Sequence, residues 1–131
     1  QYRMIGDTIA IKDAFVINIG IEFDIVTIPE VNNNDVLRSC ILNLQRILAT
    51  ERQSINEPIS IRELEVGLDS IKGVQTVNSI KVINKYGGAY SQYEYDIDGA
   101  TQSRIIYPSI DPMIFELKFP NEDIKGRVVT I

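Results

Sequence analysis

The sequence predicts an α+β domain: two amphipathic helices packed on a mainly antiparallel sheet in a β-α-α-β order, followed by a β-rich C-terminal extension. Three observations carry this. From Phe15 to Ile25 the odd positions are apolar, while the even ones include Asn18, Gly20, Glu22 and Asp24, which is the period of a half-buried strand. Two later segments place apolar residues at helical spacing behind N-capping residues, and Val74 to Ile83 then alternates and is rich in Val, Ile and Thr. With 131 residues, 44% of them hydrophobic and 24% charged, the chain is expected to form one domain around its own core. Residues 1–85 are expected to form the α+β core, and 86–131 a β-rich hairpin and extension of the same domain.

Residues 1–12 set Tyr2, Met4, Ile5, Ile9 and Ile11 around Gly6-Asp7, a short turn leading into a first strand. The strand from Ala14 to Ile28 would be about 50 Å long at ~3.3 Å per residue, so Gly20 is expected to mark a bulge or bend. Pro29 ends it. Asn32-Asn33-Asn34-Asp35 offers several N-caps to a helix whose Leu37, Cys40, Ile41, Leu44, Ile47 and Leu48 fall within roughly 120° of its circumference. Leu42 lies off that stripe and is either an isolated exposed leucine or a contact with a partner.

A polar connection from Thr50 to Pro58 follows. Ser60-Ile61-Arg62-Glu63 then has the form of a capping box, with Ser60 accepting from the backbone of Glu63. Ile61, Leu64, Leu68 and Ile71 make the buried stripe of this second helix, leaving Val66 on its outer side. Gly73 suits a left-handed C-terminal cap. Gly87-Gly88 is expected to be a hairpin turn, after which Tyr90, Tyr93 and Tyr95 stand among polar residues; tyrosines so placed pack across strands or serve protein interfaces. Met113, Phe115, Leu117 and Phe119 alternate with Ile114, Glu116 and Lys118 between Pro112 and Pro120, a strand with proline-marked ends that suits a sheet edge. Its apolar face belongs either to the core or to a docking site.

Composition narrows the chemistry. Without His, and with one Cys, the chain cannot build a Ser/His/Asp or Cys/His triad or the usual zinc sites. Cys40 has no internal disulfide partner and reads as a small buried hydrophobe. Glu94-x-Asp96-x-Asp98-Gly99 begins like a calcium loop, but its twelfth position is Ile105 where a bidentate carboxylate belongs, so we read a solvated acidic turn. Gly87-Gly88 lacks the Lys-Ser/Thr of a phosphate cradle. Thirteen basic against eighteen acidic residues give a net charge of −5, the wrong balance for binding phosphates, so no nucleic-acid partner is expected. No apolar run is long enough for a membrane helix and no signal peptide is evident, so no membrane is expected either. No enzyme, cofactor, metal or small-molecule substrate is expected. Because the chain opens on Gln1, the natural polypeptide is expected to extend beyond that end.

The run from Val16 to Ile83 combines Asn18-Ile19-Gly20-Ile21-Glu22-Phe23-Asp24, an Asn/Asp-started helix, Ser60-x-x-Glu63 and Gly73-Val74-Gln75-x-Val77. It resembles the carboxy-terminal part of baseplate J-like phage tail proteins. Tyr2-Arg3-Met4, the stretch from Ile106-Tyr107-Pro108-Ser109-Ile110-Asp111-Pro112 to Glu116, and Asp123-Ile124-Lys125-Gly126-Arg127 resemble more narrowly the baseplate wedge ring proteins of T-even-type contractile phages. The resemblance covers nearly the whole chain. It implies a structural component of the virion's tail baseplate, assembled in the host bacterial cytoplasm, whose copies pair as homodimers and join into a ring around the hub. The implied partners are further copies of itself and other baseplate wedge proteins. Members of the family have no catalytic residues, so none is carried over. They are several times longer than this chain.

An adhesive module presents apolar surface, and periodicity nominates Leu42, Val66, Tyr90, Tyr93, Tyr95, Phe115, Leu117 and Phe119 as the protein interface. Two rival readings are a small-ligand-binding regulatory α+β module, since strand-helix-helix-strand units also form sensor domains, and an enzyme working through carboxylates, Lys or Tyr alone.

Overall fold

A computed structural model of the chain describes residues 15–49, 56–109 and 112–130. It is an α+β fold with two helices packed on one face of a sheet. The strand β1 (Phe15–Thr27) is its spine. Next come α1 (Asn33–Ile47), a two-residue strand β2 (Ile59–Ser60), α2 (Ile61–Asp69) and β3 (Val74–Lys85). The C-terminal part adds β4 (Thr101–Gln102), β5 (Ile105–Ile106), β6 (Met113–Glu116) and β7 (Ile124–Val128). The proposed opening turn and strand at 1–12, and most of the connection from Thr50 to Pro58, lie outside the described residues.

On one side β1 pairs antiparallel with β3; on the other it pairs parallel with β6 at Phe15–Asn18 and with β7 at Ile21–Ile25. The sheet is therefore mixed, its long ladder antiparallel and its C-terminal pairings parallel. A small antiparallel sheet, ordered β2-β5-β4, flanks it. Ser103 and Arg104 join β4 to β5 at φ 53° and 64°, the left-handed pair that a two-residue hairpin turn demands.

The odd residues of β1 face the helices: Ile17, Ile19, Ile21, Phe23 and Ile25 are all buried. Val36, Cys40, Leu44 and Leu48 of the α1 segment and Leu64 and Leu68 of α2 meet them in one core, which also takes in Ile97, Ile106, Met113, Phe115, Leu117 and Ile124. Described residues on both sides of Lys85 thus contribute to one core.

Local chemistry sets the ends of the helices. Asn32 caps α1, its side chain accepting from the N–H groups of Asn34 and Asp35. Ser60 caps α2 by accepting from Glu63 N–H at 3.1 Å. That helix ends earlier than the glycine position implies: Ser70 is its C-cap, and Gly73, at φ +101°, shapes the turn into β3 instead.

Gly20 is not a bulge. It stays in register opposite Ile83, and the ladder slips later, between Asp24 and Ile25 and between Val26 and Thr27. At those points Asn78 and Gln75 are the extra residues, so β3 carries the irregularity. What Gly20 provides is close approach: a Cβ there would lie 3.1 Å from Asp123 O, whose carbonyl accepts the N–H of Ile21.

Gly87 and Gly88 do make a turn, at φ 83° and 57°, but no strand returns along β3. Residues 86–100 instead hook over the end of the sheet. Asn18, 1% exposed, explains how they are held. Its side chain accepts from Ser91 N–H at 2.6 Å and donates to Glu116 Oε1 at 2.8 Å, while its carbonyl accepts from Asn84 Nδ2 at 3.0 Å. Asn84 Oδ1 in turn accepts from Tyr95 N–H. Irregular backbone can pack there because these amides satisfy it.

Candidate docking surface

Both helices run along the same face of the sheet, α1 beside β7 and α2 beside β3. They touch through Asn43, whose Nδ2 donates to Gly67 O at 2.8 Å, and through Ile47, whose Cδ1 would be 2.6 Å from a Cβ on Gly67. Glycine at 67 is what lets the helices approach this closely. Leu42 stands midway between the fully buried Cys40 and Leu44, so at 100° per residue it points nearly opposite the core. Val66 holds the same place between Leu64 and Leu68. Leu42 is 57% exposed and Val66 55% exposed, and both look outward from the helix layer. The surroundings are polar: Arg46 donates to Asn43 Oδ1, and Arg104 from the β4–β5 turn pairs with Glu65 at 2.5 Å.

The tyrosines divide. Tyr93 is 41% exposed and sets its ring edge-on to Phe15, itself partly exposed, at 4.8 Å. Tyr90 is half-buried; its hydroxyl donates to Asp123 Oδ1 at 2.8 Å and its ring meets Phe119 edge-on at 5.5 Å. The hydrogen bond to the Asp123 carboxylate, with burial adding to it, pushes the Tyr90 hydroxyl pKa up. Tyr95 packs on Phe115 and donates to Tyr107 O at 2.5 Å, and burial raises its pKa in turn. Tyr90 and Tyr95 thus hold residues 86–100 in place.

Two nominated residues are corrected by their burial. Phe115, 1% exposed, and Leu117, 6% exposed, lie in the core, because the parallel pairing of β6 with β1 turns that face toward the helices. Phe119 is half-buried against Tyr90. The surface that remains from the nominated set is Leu42, Val66 and Tyr93.

The opposite face of the sheet has a different character. Lys81, Glu22 and Lys125 line up across β3, β1 and β7, as do Ser79, Asp24 and Arg127 in the next pleat but one. They border a shallow depression of about 370 Å³. Arg127 grips Asp24 through Nε at 2.9 Å and through a second nitrogen at 3.1 Å. That contact holds the Asp24 carboxyl below its usual range.

Cys40 is wholly buried, and desolvation pushes its thiol up to about 11. Among the described residues no three His, Cys, Asp or Glu side chains gather where they could hold a metal ion, and no helix is long and apolar enough to cross a membrane. Sequence reasoning missed Asn18, whose even position in β1 reads as solvent-facing. No protein-family model matches the chain, and no curated protein matches it.

Proposed function

We propose that this domain is a structural, non-enzymatic component of a phage tail baseplate wedge, and that it acts by protein–protein adhesion between copies of itself and other wedge proteins. The observation that supports adhesion is the placement of Leu42 and Val66. Each is an aliphatic side chain more than half exposed, and each stands opposite the core on one of two touching helices. A leucine and a valine there add nothing to the core, whereas a partner covering them removes apolar surface worth about 25 cal/mol per Å² from water. The assignment to a baseplate rests on the resemblance carried by Val16 to Ile83 and by the Tyr107-Pro108 and Asp123–Arg127 motifs.

The test is one of location and of contact. Mass spectrometry of purified contractile tails from the phage that encodes the chain should find it in the baseplate fraction; its absence there overturns the reading. Leu42→Asp and Val66→Asp should leave the stability of the isolated domain within ~0.5 kcal/mol, as exposed positions do, and reduce its incorporation into wedges assembled in vitro.

A further inference from the structure

Lys85, Asn18 and Glu116 stand side by side across β3, β1 and β6: Lys85 is paired with Asn18 in the antiparallel ladder, and Asn18 with Glu116 in the parallel one. All three belong to the row that faces away from the helices, at the end of the sheet over which residues 86–100 hook. We infer that this row is a site of self-modification, in which the amine of Lys85 replaces the amide nitrogen of Asn18 and ties β3 to β1 through a side-chain amide bond.

The asparagine is set for substitution. It is 1% exposed, so bulk water is kept from the reacting carbonyl. Its Oδ1 accepts from Ser91 N–H at 2.6 Å, a donor fixed where negative charge gathers when the carbonyl is attacked. Its Nδ2, the nitrogen that must leave, donates to Glu116 Oε1 at 2.8 Å, which places a proton carrier on that atom. The nucleophile is the neighbour across the ladder. Residues directly opposite in an antiparallel pair have Cβ atoms about 4.5–5.5 Å apart, within the span of a lysine side chain. Lys85 lies over Gly20, two positions along β1 on the same face, its Cε 3.1 Å from where a Cβ on Gly20 would stand. Rotation about its own side-chain bonds brings the amine from Gly20 to Asn18, and glycine at 20 leaves it the room.

In the step itself, the Glu116 carboxylate takes a proton from the Lys85 ammonium. The freed amine pair forms a bond to Asn18 Cγ, and the carbonyl electrons move onto Oδ1 beneath the Ser91 N–H. As they return, the Cγ–Nδ2 bond breaks. Glu116 passes its proton to Nδ2, which leaves as ammonia and takes up the second proton of the attacking nitrogen. A carboxamide and an alkylammonium thus become a secondary amide and an ammonium ion, with nothing oxidised or reduced and no co-reactant. Asp123 is the other acyl group near Lys85, its main-chain oxygen 3.1 Å from the same point above Gly20. Its buried Oδ2, however, has no hydrogen-bond partner among the described residues, so no acid stands ready to protonate a leaving oxygen there.

Mass spectrometry of the intact chain, kept folded for several days, tests this. The wild type should show a loss of about 17 Da, the mass of ammonia, and its digest should contain a branched peptide joining residues 18 and 85. Lys85→Arg, which keeps the charge and removes the amine, should stay folded by circular dichroism and show the full sequence mass. Glu116→Gln, which keeps an acceptor for Asn18 Nδ2, should do the same. The linked chain should also unfold at a higher urea midpoint than Lys85→Arg, because the bond closes the loop from Asn18 to Lys85 in the unfolded state. Full sequence mass in the folded wild type overturns the inference. So does a loss that survives Lys85→Arg, as cyclisation of Gln1 would give, or a loss of about 18 Da with Lys85 joined to Asp123. A bond to Asn18 that forms equally fast in Glu116→Gln overturns the part given to Glu116. Should either variant fail to fold, the presence or absence of the branched peptide in the wild type decides.

Discussion

Gly126 and Phe23 oppose each other across β7 and β1, and the ring of Phe23 occupies the space a side chain on Gly126 would fill. A Cβ there would stand 2.1 Å from Phe23 Cζ, with two further ring carbons at 2.5 and 2.6 Å. Phe23 is 2% exposed and has nowhere to retreat. Gly126→Ala should therefore lower stability by ~1–3 kcal/mol, as overpacking does, read from the urea midpoint at unchanged slope. Cys40 gives a pH dependence. Its folded pKa is raised by burial from 9.0 to about 11, so the native thiol keeps a proton that the unfolded chain releases. The stabilisation is whole below pH 9 and is lost as pH rises toward about 11. Tyr90 and Tyr95 are shifted in the same sense and extend the decline above their ordinary 10.0. The urea midpoint should fall through this window, less so in Cys40→Ala, and a thiol reagent at about pH 8 should label the chain only as fast as it unfolds.

At the scale of the element, helix placement follows from periodicity and caps, both local. The stripe through Cys40, Leu44 and Leu48 is buried and Leu42 is outside it, because 3.6 residues per turn leave no other arrangement once one face meets a sheet. The cap of α2 supplies a direct test: Ser60→Ala removes the acceptor for Glu63 N–H and should cost ~0.5–2 kcal/mol, seen in thermal unfolding followed by circular dichroism. Where a signal depends on more than its neighbours, the local reading falls short. Gly73 marks the turn but not the end of the helix, since Ser70 already accepts the terminating role by donating its Oγ to Gly67 O. The Ser103-Arg104 turn carries no glycine or asparagine to announce it; pairing of β4 with β5 imposes the positive φ values.

For the whole molecule the decisive feature is that the last strand completes the first. Ile124, 3% exposed, enters the core only because β7 lies parallel beside Ile21–Ile25. Deleting residues 120–131 should uncover that edge of β1 and open the core. The shortened chain should lose the single cooperative urea transition expected of the intact one, and should bind a hydrophobic dye.

The class of this domain, its two helices with their buried and outward faces, the spine strand and β3 are all legible from local pattern, because each depends on the spacing of residues close together in the chain. The same pattern places Leu42 and Val66 on the outside. Long-range packing makes Phe115 and Leu117 core, turns the Tyr90–Tyr95 segment into a hook rather than a hairpin, and buries Asn18. An alternating strand reads the same at an edge or in the centre, and whether its polar face meets water depends on what the distant chain lays over it. For Asn18 that covering comes from Ser91 and Glu116, more than seventy positions away, which no local pattern encodes.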